Sequence, residues 1–186
     1  MQTLIQSAAQ IQKRLDEADV ASAVIGALAV SIWGEPRLTR DADLRVFLQR
    51  DQADYLVGLL EPDYVCLASE PENTLRQMGF LFVKDSAGVR IDLMLSDTIF
   101  DEEAIYRARS VEVSSGLELV VCSPEDLIVY KMISTRPRDW EDVKGVVRRQ
   151  KGSLDDAYII NWLEEFELAL DDSTLVNKYQ RMRRKV

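Results

Sequence analysis

Val24-Ile25-Gly26-Ala27-Leu28-Ala29, followed by Arg37-Leu38-Thr39-Arg40-Asp41-Ala42-Asp43-Leu44-Arg45-Val46-Phe47-Leu48, is the stretch from which the rest of the chain can be read. Side chains alternate faces along a β-strand, so Asp41, Asp43 and Arg45 point one way while Ala42, Leu44, Val46 and Leu48 point the other. One face is core and the other carries charge. Two like-charged carboxylates on one strand face repel each other, and a hard divalent cation with oxygen ligands, Mg²⁺ above all, would relieve that repulsion. An edge strand with a solvated polar face would show the same alternation, so the surroundings of the two aspartates must decide.

Three features of those surroundings favour a site. Val89-Arg90-Ile91-Asp92-Leu93-Met94-Leu95 reads as a second strand, with Ile91, Leu93 and Leu95 apolar and Asp92 on the opposite face. Beside the first strand it would bring a third carboxylate toward the same cation. Gly26-Ala27 opens an apolar helix with two small residues, a start that lets backbone N–H groups and the positive end of the helix approach an anion. Arg37, Arg40 and Arg45 surround the aspartates as candidate phosphate partners.

In this order, Gly26-Ala27, Asp41-x-Asp43 and a later Asp92 resemble the signature of the polymerase β-type nucleotidyltransferases. More narrowly, Val24 to Ala29 with Trp33-Gly34-Glu35-Pro36 and Arg37 to Asp43 is similar to the minimal, AbiEii-like bacterial branch, which includes toxins of toxin–antitoxin pairs. The likeness runs from about Val24 to Asp142. It implies transfer of a nucleoside monophosphate from an NTP to a hydroxyl on a tRNA, a protein or a small molecule. It implies Asp41, Asp43 and Asp92 as catalytic residues and ligands of two Mg²⁺ ions. Gly26, Ala27, Arg40, Lys131 and Asp139 would be nucleotide-binding, the last two because a helix beginning Ser-Pro-Glu-Asp-Leu carries a lysine in the family and an Arg-Asp pair follows. Without the resemblance, Lys131 would be a solvated helix residue and Asp139 an N-cap. Where the family has Gly-Gly or Gly-Ser, this chain has Gly26-Ala27, which bears on triphosphate affinity more than on metal binding. A nucleotide-binding module without turnover, or a protein-interaction subunit such as one half of a toxin–antitoxin pair, are the alternatives.

Composition narrows the chemistry further. The 186 residues include no histidine, which excludes Ser-His-Asp catalysis, histidine acid–base chemistry and His-ligated zinc, and leaves carboxylates to do any such work. A net charge of −9 argues against nucleic-acid binding over the whole surface. Local basic runs, Arg148-Arg149-Gln150-Lys151 and Arg181-Met182-Arg183-Arg184-Lys185, read as solvated helix faces and ends, though a local patch could still bind phosphate. Cys66 and Cys122 lack metal-ligand spacing and are expected as reduced core residues. With no apolar run of membrane length and no signal-like N-terminus, the expectation is a soluble, cytoplasmic protein.

The remaining elements follow from periodicity. A helix to about Ala18 carries Leu4, Ala8, Ile11 and Leu15 on one stripe. A helix is expected within residues 50–60 and a loop-rich segment from Asp63 to Asn73, with a short strand near Tyr64 to Leu67. Hairpins are expected around Asp85-Ser86-Ala87-Gly88 and Ser114-Ser115-Gly116, and a short helix between them. Ser123-Pro124-Glu125-Asp126 is a strong helix start, and helices continue to the end of the chain. The prediction is an α+β fold: a small mixed β-sheet with helices on one face over residues 1–122, and a helical C-terminal segment, 123–186, packed on the same domain.

Overall fold

The computed structural model describes residues 1–134 and 136–185, and these divide into two compact units. The first comprises Met1–Leu28 with Leu38–Cys122, and the second Ala29–Arg37 with Ser123 onward.

The first unit is built on a mixed sheet of seven strands. Along the chain these are β1 (Ser22–Ile25), β2 (Asp41–Val46), β3 (Val65–Cys66), β4 (Phe80–Lys84), β5 (Arg90–Leu95), β6 (Arg109–Ser114) and β7 (Leu117–Val121). In space the order is β3-β4-β5-β2-β1-β7-β6, with β2–β5 and β1–β7 parallel and the other pairs antiparallel. Register makes one face continuous: Val24 lies opposite Leu44, Leu44 opposite Leu93, and Leu93 opposite Leu81. Ala42, Leu44, Val46, Ile91, Leu93, Leu95, Leu81 and Val83 are all fully buried, as the alternation of apolar residues requires.

Helices α1 (Gln2–Asp16), α3 (Ala53–Leu60), α4 (Pro71–Met78) and α5 (Ile99–Tyr106) complete this unit. Leu4, Ala8, Ile11 and Leu15 form the buried stripe of α1 expected from their spacing. Gln12 then ties α1 to β7: its Nε2 donates to the Val120 carbonyl at 2.8 Å, and the Val120 N–H donates to its Oε1 at 3.1 Å. The segment expected as loop from Asp63 to Asn73 instead runs into α4. Pro71 occupies the first turn of that helix, and Gly79 ends it at φ +71°, a conformation in which a Cβ would also meet the Asp97 carboxylate. Only Leu75 of α4 is fully buried, so hydrophobic periodicity had little to report there.

Helix α2 (Gly26–Trp33) starts in the first unit, and its residues from Ala29 on belong to the second. That unit continues with α6 (Pro124–Met132), α7 (Pro137–Gln150), α8 (Asp156–Leu170) and α9 (Leu175–Arg183). The start of α6 is the one the sequence announces: the Ser123 Oγ accepts the Asp126 N–H at 3.1 Å, with Pro124 in the first turn. Gly34 fits closely against α7, because a Cβ there would press on the side chain and backbone of Val146. Asp156 on α8 receives Nε and Nη2 of Arg183 at 2.7 Å each and the Tyr179 hydroxyl, which locks α9 to α8. Among the described residues no helix is long and apolar enough to cross a membrane.

Leu44 is the central residue of the apolar row, with neighbours on both adjoining strands. Replacing it with alanine is expected to cost about 2–5 kcal/mol, read as a lower urea midpoint at unchanged slope.

Candidate active site

Behind the apolar row, the same register assembles the polar one. Asp43 lies opposite Asp92 across the parallel β2–β5 pair, Asp41 lies opposite Arg90, and on the other side Asp43 faces Ile25 of β1. Residue Gly26, immediately after Ile25, therefore arrives beside Asp43. It has φ +65°, and a Cβ built on it would overlap the Asp43 carboxylate. Two requirements coincide at this position: the left-handed backbone and the close approach of a carboxylate to a helix start both need glycine. Ala27, the next residue, is buried.

Each carboxylate has a positioning contact. The Thr39 hydroxyl donates to Asp41 Oδ1 at 2.8 Å. Asp92 is gripped from its own strand: Arg90 donates from Nε to Oδ1 at 2.6 Å and from Nη2 to Oδ2 at 2.8 Å, while its guanidinium lies over the Phe82 ring at 4.2 Å from the centroid. The Asp92 hydrogen bond is the largest influence holding the Arg90 pKa above its ordinary value, and the charges of Asp92, Asp41 and Asp43 act in the same direction. All three expected carboxylates are thus close enough to share the field of one guanidinium.

The donor set fits a hard divalent cation: carboxylate oxygens on one strand face, in register, with hydrogen alone on the neighbouring backbone at Gly26. Among the described residues, however, no three acidic side chains converge as a ready-made ligand cluster. Both oxygens of Asp92 accept from Arg90, its neighbour two residues away.

The basic residues of the site region separate into different roles. Arg37 belongs to the helical unit and donates to Asp142 from Nε and Nη2 at 3.0 and 3.1 Å. Arg45 pairs with Asp101 of α5 at 3.1 Å and donates to the Leu95 carbonyl at 2.9 Å. Neither has the open guanidinium expected of a phosphate partner. Arg40 is exposed and has no acidic partner among the described residues.

Lys131 and Asp139 lie in the helical unit, and both are buried. The Lys131 Nζ lies 2.6 Å from Asp139 and 3.0 Å from Asp142, and Arg136 adds a 2.7 Å hydrogen bond to Asp139. Arg37, Asp142, Lys131, Asp139 and Arg136 therefore form one chain of alternating charge joining the α2–β2 connection to α6 and α7. The sequence singled out Lys131 and Asp139 as candidates but not the partners that fix them. The i, i+3 spacing of Asp139 and Asp142 on one helix face was the available signal. Thr39 and Arg90 were likewise missed as positioning residues, although both stand two residues from a site aspartate.

A family model described as "Nucleotidyl transferase of unknown function (DUF2204)" matches residues 5–180. No curated protein matches the chain by sequence. Among solved structures, the antibiotic-resistance factor ANT(2'')-Ia in solution is similar with a TM-score of 0.60 at 16% identity, over 91% of this chain and 94% of that one. An antigenic nucleotidyltransferase-like protein from Paracoccidioides brasiliensis gives 0.57 at 13% identity, over 94% and 92%. The lincosamide adenylyltransferase LnuA, bound to lincomycin, gives 0.50 at 13%, over 74% and 92%. At these identities the likeness is one of fold.

Two outcomes follow. Gly26→Ala should abolish nucleotide-dependent activity and displace Asp43, with a backbone cost of about 1–2 kcal/mol that chemical denaturation would report. In the helical unit, burial raises the Asp139 carboxyl, but hydrogen bonds from Lys131, Ser134 and Arg136 outweigh it and leave the pKa below its ordinary value. A folded pKa below the unfolded one gives stability that is complete above the unfolded value of about 4 and is lost as pH falls through the folded value. Urea midpoints of the native protein should therefore drop below about pH 4, and Asp139→Asn should be less stable at neutral pH with a flatter acid limb.

Proposed function

The chain belongs to that nucleotidyltransferase family, and from this premise we propose that it moves a nucleoside monophosphate from an NTP to a hydroxyl acceptor with Mg²⁺ bound at Asp41, Asp43 and Asp92. The observation that carries the reading is the in-register row Asp92–Asp43, with Asp41 on the same face and Gly26 against Asp43. Bound there, Mg²⁺ would neutralise triphosphate charge and lower the pKa of the attacking hydroxyl.

The chain's own residues divide the remaining work. Backbone N–H groups at Gly26 and Ala27, at the positive end of α2, would receive phosphate oxygens, and exposed Arg40 would add a mobile cation. The acceptor oxygen attacks the α-phosphorus, the bond to the bridging oxygen of the β-phosphate breaks, and pyrophosphate leaves. With no histidine in the chain, Asp92 would help activate the acceptor hydroxyl, and Arg90, which holds both of its oxygens, would release one of them for that role. Lys131 and Asp139 enter the proposal as nucleotide-binding residues. Their burial in an ion-pair network means that Lys131→Met must be read by KM and by melting temperature together.

A second reading rests on Ala27, which lacks the hydroxyl a serine would offer the triphosphate: a nucleotide-binding module without turnover. The narrower likeness to the AbiEii-like branch adds a toxin whose antitoxin partner is a separate chain, cytoplasmic in setting and compatible with catalysis.

Incubation with Mg²⁺ and each α-labelled NTP, with tRNA, cell extract or an aminoglycoside as acceptor, tests the assignment. Transfer of label by the native protein is expected, reduced at least about 100-fold in Asp41→Ala/Asp43→Ala. Mg²⁺-dependent nucleotide binding without transfer to any acceptor would establish the module instead.

A further inference from the structure

We propose that a basic groove in the helical unit, between α7 and α9, binds the phosphate backbone of RNA. The groove has a volume of about 410 Å³ and is lined by Lys144, Arg148, Lys151, Arg181, Met182 and Lys185. Two basic runs separated by about thirty residues in the sequence are brought to one concavity by the packing of α9 on α7. Read singly, each run is an ordinary helix end. Together with Lys144 they put five cations and, among the described residues, no carboxylate around one hollow, in a chain whose net charge is −9.

Like charges gathered this way repel, and internal acidic partners relieve only some of them. Lys144 pairs with Glu141 at 2.6 Å, and Arg148 pairs with Glu35. Lys151, Arg181 and Lys185 are exposed and have no acidic partner among the described residues. An anion from outside would complete the set.

The chemistry of the lining selects that anion. An exposed ion pair is weak on its own, so a single small phosphate would gain little and a polyanion that engages several cations at once would gain much. A bilayer surface is disfavoured, because none of the exposed large hydrophobic residues lines the groove and its one apolar wall, Met182, is 8% exposed. Among polynucleotides, RNA carries a 2′-hydroxyl on every ribose and so supplies acceptor hydroxyls. That choice rests on the nucleotidyl-transfer reading, whereas the charge of the groove does not.

Fluorescence anisotropy with a short labelled single-stranded RNA tests the proposal. Three to five phosphate contacts predict that log K falls with log salt at a slope of about −2 to −3.5. Arg181→Gln/Lys185→Gln should weaken binding at least about tenfold and flatten the slope by about 1.4, with an unchanged melting temperature because both residues are exposed. Asp41→Ala/Asp43→Ala should bind RNA as the native protein does. RNA binding that is absent, insensitive to salt or unchanged in the groove variant overturns the proposal, as does binding to anionic vesicles without binding to RNA. Equal affinity for DNA of the same sequence overturns the choice of RNA. If RNA binds as expected but no NTP is transferred to any acceptor, the transfer reading fails and the groove stands. If transfer proceeds to a non-RNA acceptor and RNA does not bind, the reverse holds.

Discussion

Three carboxylates and a guanidinium occupy the polar face of β2 and β5, and the apolar row directly behind them holds the arrangement in place. A strand exposes alternate residues to opposite faces, so a slip of one position between β2 and β5 would drive either Asp43 or Asp92 into the core and turn the leucine beside it outward. Burial of Ala42, Leu44, Val46, Ile91, Leu93 and Leu95 therefore fixes the register, and with it the distance between carboxylates that would otherwise repel. The antiparallel partner β1 extends the same logic by delivering Gly26 to Asp43. The arrangement of this polar face is thus a consequence of packing on the opposite side of the sheet.

Much of this was legible because it is local and periodic. Alternation along Asp41–Val46 and Arg90–Leu95 identified both strands and all three carboxylates, and the Ser123-Pro124 start identified α6. Helix α4 was not legible: it buries a single leucine, and its signals, Pro71 at the start and Gly79 past the end, punctuate a segment without an apolar stripe. Partner choice by long cationic side chains was not legible either. Arg37, Arg40 and Arg45 look alike in sequence, yet the first is committed to Asp142, the last to Asp101, and the middle one to neither. Such choices depend on which carboxylate the fold brings within reach, and those carboxylates lie 56 and 105 residues away in the chain.

Lys131 shows why residue type alone does not assign a role. A lysine one residue before the end of α6 could snorkel to solvent, but its Nζ is enclosed by Asp139 and Asp142, themselves capped by Arg136 and Arg37. Removing one member of a buried chain like this leaves an opposite charge uncompensated, at a cost of about 3–5 kcal/mol. Loss of activity in a Lys131 variant would therefore carry no meaning unless folding were measured beside it.

The same distinction separates the cations that organise the protein from those that remain for a partner. Arg37, Arg45, Arg90 and Arg183 each meet a carboxylate within about 3 Å, and each lies where two elements join or where a site aspartate must be aligned. Arg40, Lys151, Arg181 and Lys185 have no such counter-charge among the described residues and are exposed. In a chain with a surplus of carboxylates, a cation left without one is informative, because the long arms of Lys and Arg would otherwise find an acidic neighbour at little cost. One such residue stands beside Asp41 and three stand around one hollow of the helical unit. Those are the positions at which the proposed triphosphate, in the first case, and the proposed phosphodiester backbone, in the second, would supply the missing counter-charge.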